Sequence, residues 1–207
     1  MRPKVNKSIV IIGEGPTESF YFDSLKSSKR YSFRIKPTFP SHSDIDHILM
    51  LAKRSIEEEY DYVVCLIDMD RIKQNQTEWK KYQKHKRELE SKRKHKKVDV
   101  IFIETYPCTE FWFLLHFVPN LSTRVYRSYE DLLPELQKYM PGYEKTKRYF
   151  TRTDLHCYLN EHGDINRAMK NSEILSERSK ANPEDEVSYS EIYKVIKLLN
   201  DLEPMKS

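Results

Sequence analysis

The sequence predicts an α/β fold: a mostly parallel sheet of about four strands flanked by helices, with a helical C-terminal part. Three observations carry that prediction. Short β-branched runs alternate with amphipathic stretches up to Val118. The strongest run, Tyr62-Val63-Val64-Cys65-Leu66-Ile67, is apolar without alternation, as a strand buried on both faces must be. After about Asn120 only helical spacing remains. The β-α-β-α-β order supplies the crossovers that parallel strands require.

Ser8 to Ile12 is a continuous β-branched strand that stops at Gly13. Pro16 then stands at a first-turn position, and Phe20, Phe22 and Leu25 give a helical apolar side up to Lys29. Tyr31, Phe33 and Ile35 alternate with Ser32, Arg34 and Lys36, the pattern of a half-exposed edge strand, which Pro37 and Pro40 end. Ser43 with Asp46 three residues on resembles a capping box, and Ile45, Ile48, Leu49, Ala52 and Ile56 form one face of a second helix. Val98 to Ile103 reads as a fourth strand and Phe111 to Val118 as a buried helix. Helices are expected near Ser128 to Tyr139, Asp154 to Glu161, Ile165 to Ser176 and Ser188 to Leu202, with a polar loop over Lys180 to Glu186. The chain is expected to divide into an α/β domain, 1–120, carrying a basic insertion at 71–97, and a helical region, 121–207, packed on or beside it.

With 38% hydrophobic residues in 207 and no apolar run near the roughly 18 to 20 residues of a membrane span, the composition excludes an integral membrane protein. The start does not read as a secretory signal, because its apolar stretch is only Ile9 to Ile12. Cys65, Cys108 and Cys157 lie far apart, which suggests neither a disulfide scaffold nor a zinc knuckle. A cytoplasmic, reducing location is expected. Charge is uneven: Arg71 to Lys97 holds twelve Lys and Arg against three Glu, a local +9 in a chain of net +4. Its apolar residues, Trp79, Tyr82 and Leu89, are sparse, so it reads as an exposed helix or mobile excursion. It is either a solvated face or an arm that gathers nucleic acid by displacing condensed counterions, with Arg71, Lys73, Lys80, Lys81, Lys84, Arg87 and Arg93 as the candidate contacts.

Ligands of open parallel sheets bind outside the carboxyl ends of the strands, and three proposed strands finish there in acids. Glu14 follows strand one, Asp68 and Asp70 follow strand three, and Glu104 and Glu110 follow strand four. On an extended chain Asp68 and Asp70 would point the same way and reach one ion. Crowded carboxylates with no His or Cys among them call for a hard cation, Mg²⁺ or Mn²⁺, as one ion or two, and the basic run beside them for phosphoryl or phosphodiester chemistry. Gly13-Glu14-Gly15 is either a tight turn or a sharp bend that presents Glu14. GEGPTE lacks the third glycine of a dinucleotide fingerprint, and no P-loop motif occurs.

These motifs, GEGPTE with Tyr21-Phe22, then Asp68-Met69-Asp70-Arg71, then Pro107-Cys108-Thr109-Glu110-Phe111-Trp112, resemble the RloB family, which is associated with abortive infection and carries a Toprim-like domain. The resemblance spans residues 8–118, and Tyr143 with Lys145 is similar to the family's less distinctive tail. It implies a Toprim-like, Rossmann-like fold and a metal-dependent nuclease of antiphage defence. Glu14 would be a metal ligand or general base, Asp68 and Asp70 would bind Mg²⁺, and Glu18 and Glu110 would complete a second metal site. It also implies a companion AAA- or ABC-type ATPase and a nucleic-acid substrate, DNA or RNA; self-association into a homo-oligomer is a further expectation. Tyr106 and Thr109 depart from the family pattern. Other readings are a non-catalytic nucleic-acid-binding or regulatory subunit of such an ATPase complex, and a small-molecule phosphotransferase or phosphohydrolase. His116 reads as a hydrogen-bonded core histidine, Thr17 as a helix cap, and Arg71 as either a phosphate contact or a partner of the aspartates.

Overall fold

A computed structural model describes residues 7–37, 45–91, 97–119 and 124–202. Its sheet has five strands in the order β2-β1-β3-β4-β5. β1 (Ile9–Ile12), β2 (Arg34–Lys36), β3 (Tyr62–Asp68) and β4 (Asp99–Tyr106) are parallel, and β5 (Tyr189–Ser190) is antiparallel to β4. Residues of β1 and most of β3 are buried on both faces, as their unbroken apolar runs require. The edge position of β2 agrees with its alternation; Pro40 and Ser43 lie outside the described residues.

α1 (Pro16–Lys29) packs on β2, and α2 (Ile45–Glu57) packs on β1 and β3 through Ile48, Leu49 and Ala52. As far as Ser91 the basic segment is helical and packed on the sheet rather than an excursion; residues 92–96 lie outside the described residues. It forms α3 (Met69–Gln74) and α4 (Gln76–Glu90), the latter capped by Asn75, whose side chain accepts from the N–H groups of Thr77 and Glu78. α4 lies on β4: Tyr82 is fully buried with its ring edge-on to Phe102 at 5.8 Å, and Leu89 is buried too. Few apolar residues suffice here because one buried tyrosine ring fills the helix–sheet space.

β4 runs three residues beyond the expected strand, through Glu104-Thr105-Tyr106, where its last two residues pair with β5. Two residues make too short a pattern to be seen in sequence, so β5 went unforeseen. The hydroxyl of Ser176, 2.8 Å from the Ser190 carbonyl, and that of Ser172 hold β5 against α9 (Ile165–Ala181). α5 (Glu110–Leu115) is entirely buried, and the Trp112 indole N–H donates to the Tyr21 hydroxyl at 2.8 Å. The remaining helices are α6 (Tyr129–Tyr139), α7 (Lys147–Arg152), α8 (Leu155–His162) and α10 (Ile192–Leu202). Among them only the six-residue α7 was not expected. No helix among the described residues is long and apolar enough to cross a membrane.

His116 is a core residue, its Nδ1 2.9 Å from the Trp112 carbonyl. Burial pushes both His116 and His156 down to about 4. An unfolded histidine titrates near 6.5, so each contributes stability above that pH that is lost as the pH falls towards 4. Among the described residues neither ring nitrogen of His156 has a hydrogen-bond partner. His156→Phe should therefore remove about 2 kcal/mol of acid sensitivity between pH 7 and 4, read from urea midpoints. An unchanged pH profile would contradict the buried neutral imidazole.

Candidate metal and active site

The chain leaves β1 for β2 on one side and β3 for β4 on the other, so the gap between β1 and β3 is the sheet's topological switch point, where open α/β folds form their crevice. Glu14 lies just beyond β1, and Asp68 is the last residue of β3. Glu14 Oε1 accepts the Asp68 backbone N–H at 3.0 Å. From the loop after β4, Thr109 donates to Asp68 Oδ1 through its N–H at 2.9 Å and its hydroxyl at 3.2 Å. Three strand ends thus meet on one aspartate, and side chains 54 positions apart share one rim. Glu14 and Asp68 line a small cleft of about 110 Å³ with Arg71, Asp46 and Lys81.

The extended-chain pairing of Asp68 with Asp70 does not hold, because α3 begins at Met69. Asp70 sits in the first helical turn and accepts the Arg71 N–H at 2.6 Å, and its own N–H donates to the Pro107 carbonyl at 3.2 Å. It remains close enough to raise the Glu14 pKa by repulsion. Arg71 faces the same cleft, and its charge opposes the upward shifts of Glu14 and Asp70.

Glu18 is buried, and its carboxylate turns back to accept the Gly15 N–H at 2.9 Å, so Gly15 rather than Thr17 caps α1. Gly13 is needed for space, not for an unusual backbone angle: a Cβ there would stand 2.7 Å from Glu18 Cβ. Gly13→Ala should push Glu18 out of place and cost about 1–3 kcal/mol, the range for overpacking, measurable by urea denaturation. A neutral result would mean that α1 is free to shift.

The acids are held against their ordinary ionisation. Burial, then Glu18 and Asp70, push Glu14 up to about 8 against the opposing Asp68 N–H and Arg71. Burial, then Glu18 and Glu14, drive Asp68 well above the carboxylate range. Glu18 and Asp70 are also raised, each first by burial. Among the described residues no three Asp, Glu, His or Cys side chains form a finished metal cage. The donor set nevertheless fits a hard cation. Glu14 and Asp68 each spend one oxygen on a fixed donor, no donor meets the other among the described residues, and a cation would relieve the repulsion that raises both.

Two acids of the sequence reading are occupied by the protein itself. Glu104 lies inside β4, not beyond it, and faces α4. Its Oε1 accepts from the Tyr82 hydroxyl at 2.7 Å and Lys86 Nζ at 2.6 Å, and its Oε2 from the Tyr189 hydroxyl at 3.0 Å. Glu110, at 0% exposure, takes the hydroxyls of Thr17 at 2.9 Å and Tyr143 at 2.8 Å on Oε1 and pairs through Oε2 with Lys145 Nζ at 3.0 Å. Burial alone would lower the Lys145 pKa, but Glu110, Cys108 and Asp68 together raise it. Thr109 and Lys145 escaped sequence reasoning as site residues. Thr109 stands out only as a departure from a pattern, and the Glu110 contacts of Tyr143 and Lys145 bridge more than thirty positions without local signal.

Of the basic candidates, Lys80, Lys84 and Arg87 are exposed and share one stripe of α4, spaced four and three residues apart. Arg71 is exposed at the cleft. Lys73 lies over the Tyr106 and Tyr189 rings, at 4.2 and 4.9 Å. Lys81 pairs with Asp46, which ties α4 to α2, and Arg93 lies outside the described residues.

Fold and site together define an open α/β protein whose switch-point crevice is acidic rather than built to cradle phosphate. The chain belongs to the RloB-like protein family, which it matches over residues 9–199. No curated protein and no solved structure matches it.

Proposed function

We propose that this protein is a Mg²⁺-dependent nuclease of the Toprim class, acting on nucleic-acid phosphodiesters as the effector of an antiphage, abortive-infection system. The observation that carries this reading is the meeting of Glu14 and Asp68 at the β1/β3 switch point, 3.0 Å from carboxylate oxygen to backbone nitrogen. Family membership supports the association with abortive infection. Glu14, Asp68 and Asp70 would hold Mg²⁺ or Mn²⁺, which when bound supplies charge neutralisation at a phosphodiester and makes water more acidic. Glu14 would take the proton from water; without metal its carboxyl is pushed up to about 8, and a bound cation would bring it down. Thr109 fixes the Asp68 carboxylate with two donors, leaving its other oxygen for the ion, and Arg71, which lines the cleft, would meet a phosphate. The α4 stripe would draw the polyanion in.

A nuclease of this kind needs restraint, and a companion ATPase is the proposed gate. The test is cleavage of labelled DNA and RNA in Mg²⁺ and in EDTA, with the ATPase present. Turnover that EDTA abolishes is the expected result. A second reading, a non-catalytic nucleic-acid-binding subunit, draws on the lack of a finished three-ligand cage among the described residues. Salt-dependent binding indifferent to EDTA, with no turnover beside the ATPase, would favour it.

A further inference from the structure

A cavity of about 780 Å³ lies on the other side of α1 from the acidic crevice. It is a groove between α1, the edge strand β2 and the start of α7, lined by Pro16, Phe20, Arg34, Ile35 and Lys147 among others. Pro16 is two residues from Glu14, and the Gly13 N–H donates to the Lys36 carbonyl at 3.0 Å, so the groove opens at the same rim as the site.

Its chemistry is cationic and aromatic. Among the described residues Lys26, Arg34 and Lys147 share the lining with a single acid, Asp23; Lys36, also on the wall, is already paired with Glu58 at 2.8 Å. Arg34 and Lys147 are exposed. The half-buried Phe20 ring is stacked on Phe150, with centroids 5.1 Å apart, and is thereby fixed as part of the groove floor. Cations that track a backbone beside a rigid aromatic ring are the two elements of single-strand recognition. A duplex keeps its bases stacked inward and offers such a ring nothing.

We infer that the α1/β2/α7 groove binds a single-stranded segment of nucleic acid, with Arg34 and Lys147 on phosphates and Phe20 against a base, and leads the strand to the Glu14–Asp68 crevice. This deepens the nuclease reading, on which it rests for its substrate. The groove and the α4 stripe divide the work: the stripe supplies charge, the groove supplies strand selection.

The experiment measures fluorescence anisotropy of the whole chain with labelled dT15 and rU15 and with a 15-base-pair duplex, over a salt series in EDTA. The double variant R34Q/K147Q should weaken single-strand binding about tenfold and reduce the slope of log K against log salt by about 1.4, the value for two lost single-strand contacts. The charge-matched K170Q/R178Q on α9 should leave both unchanged. Phe20→Leu should weaken single-strand binding without altering the slope. No single-strand binding by the wild type, tighter binding of duplex, or a slope unaltered in R34Q/K147Q would overturn the proposal. Because binding is read without divalent cation, it is judged apart from cleavage. A wild type that binds through this groove yet never cleaves would sink the nuclease reading and leave the groove standing.

Discussion

Replacing Asp68 with Asn should abolish Mg²⁺-dependent cleavage, by about 10³-fold or more on the scale of losing a transition-state-stabilising group, and leave the sheet intact. Asparagine keeps the acceptor oxygen that Thr109 holds through N–H and hydroxyl, so the junction of β3 with the loop after β4 survives. What is lost is the charge. In the metal-free wild type that charge is a burden, because burial and the neighbouring glutamates favour the neutral acid. A carboxyl raised above its unfolded value contributes stability below the unfolded value that is lost as the pH climbs through the folded one. For Glu14 that window runs from about 4.5 to about 8. In EDTA the wild type should therefore lose stability from pH 6 to pH 8, and D68N should lose less. Millimolar Mg²⁺ should raise the wild-type Tm and leave D68N unmoved. Thermal melts at both pH values, with cleavage assays beside the ATPase, check all of this. A folded D68N that still cleaves would refute the assignment.

Lys145→Met should be the most destabilising of the single changes considered, costing about 2–3 kcal/mol, somewhat below the range for breaking a buried ion pair because about a third of the lysine side chain is exposed. Its partner Glu110 is wholly buried among Thr17, Tyr143 and the α5 core, and among the described residues Lys145 alone forms an ion pair with it. The companion E110Q/K145M variant should regain most of the loss, since glutamine keeps the two hydroxyl contacts and carries no charge. Urea denaturation of the two singles and the double, closed as a cycle, reads the coupling directly. Additive losses would mean that Glu110 is held by its hydroxyl donors alone.

The strands and the meeting of Glu14 with Asp68 were legible because both acids directly follow apolar runs, and parallel pairing of such runs brings their carboxyl ends to one rim. Asp70 was misread geometrically because nothing in Asp-Met-Asp marks where a strand becomes a helix, and α3 starts one residue earlier than an extended reading allows. Glu104 was placed beyond its strand because Glu104-Thr105-Tyr106 looks polar, whereas β5 pairs with the end of β4 and Tyr82, Lys86 and Tyr189 satisfy the carboxylate. The glycines around Glu14 read as a tight turn or a sharp bend, yet Gly13 is there because Glu18 presses against it. The Glu110–Lys145 pair joins two distant elements, and no local pattern encodes such a contact.

The most direct test of the central claim is anomalous diffraction from a crystal soaked in Mn²⁺. The account predicts a peak at the β1/β3 switch point, coordinated by Glu14 and Asp68, that vanishes in D68N. Manganese bound only elsewhere, or a crevice that stays empty at saturating Mn²⁺, would contradict it.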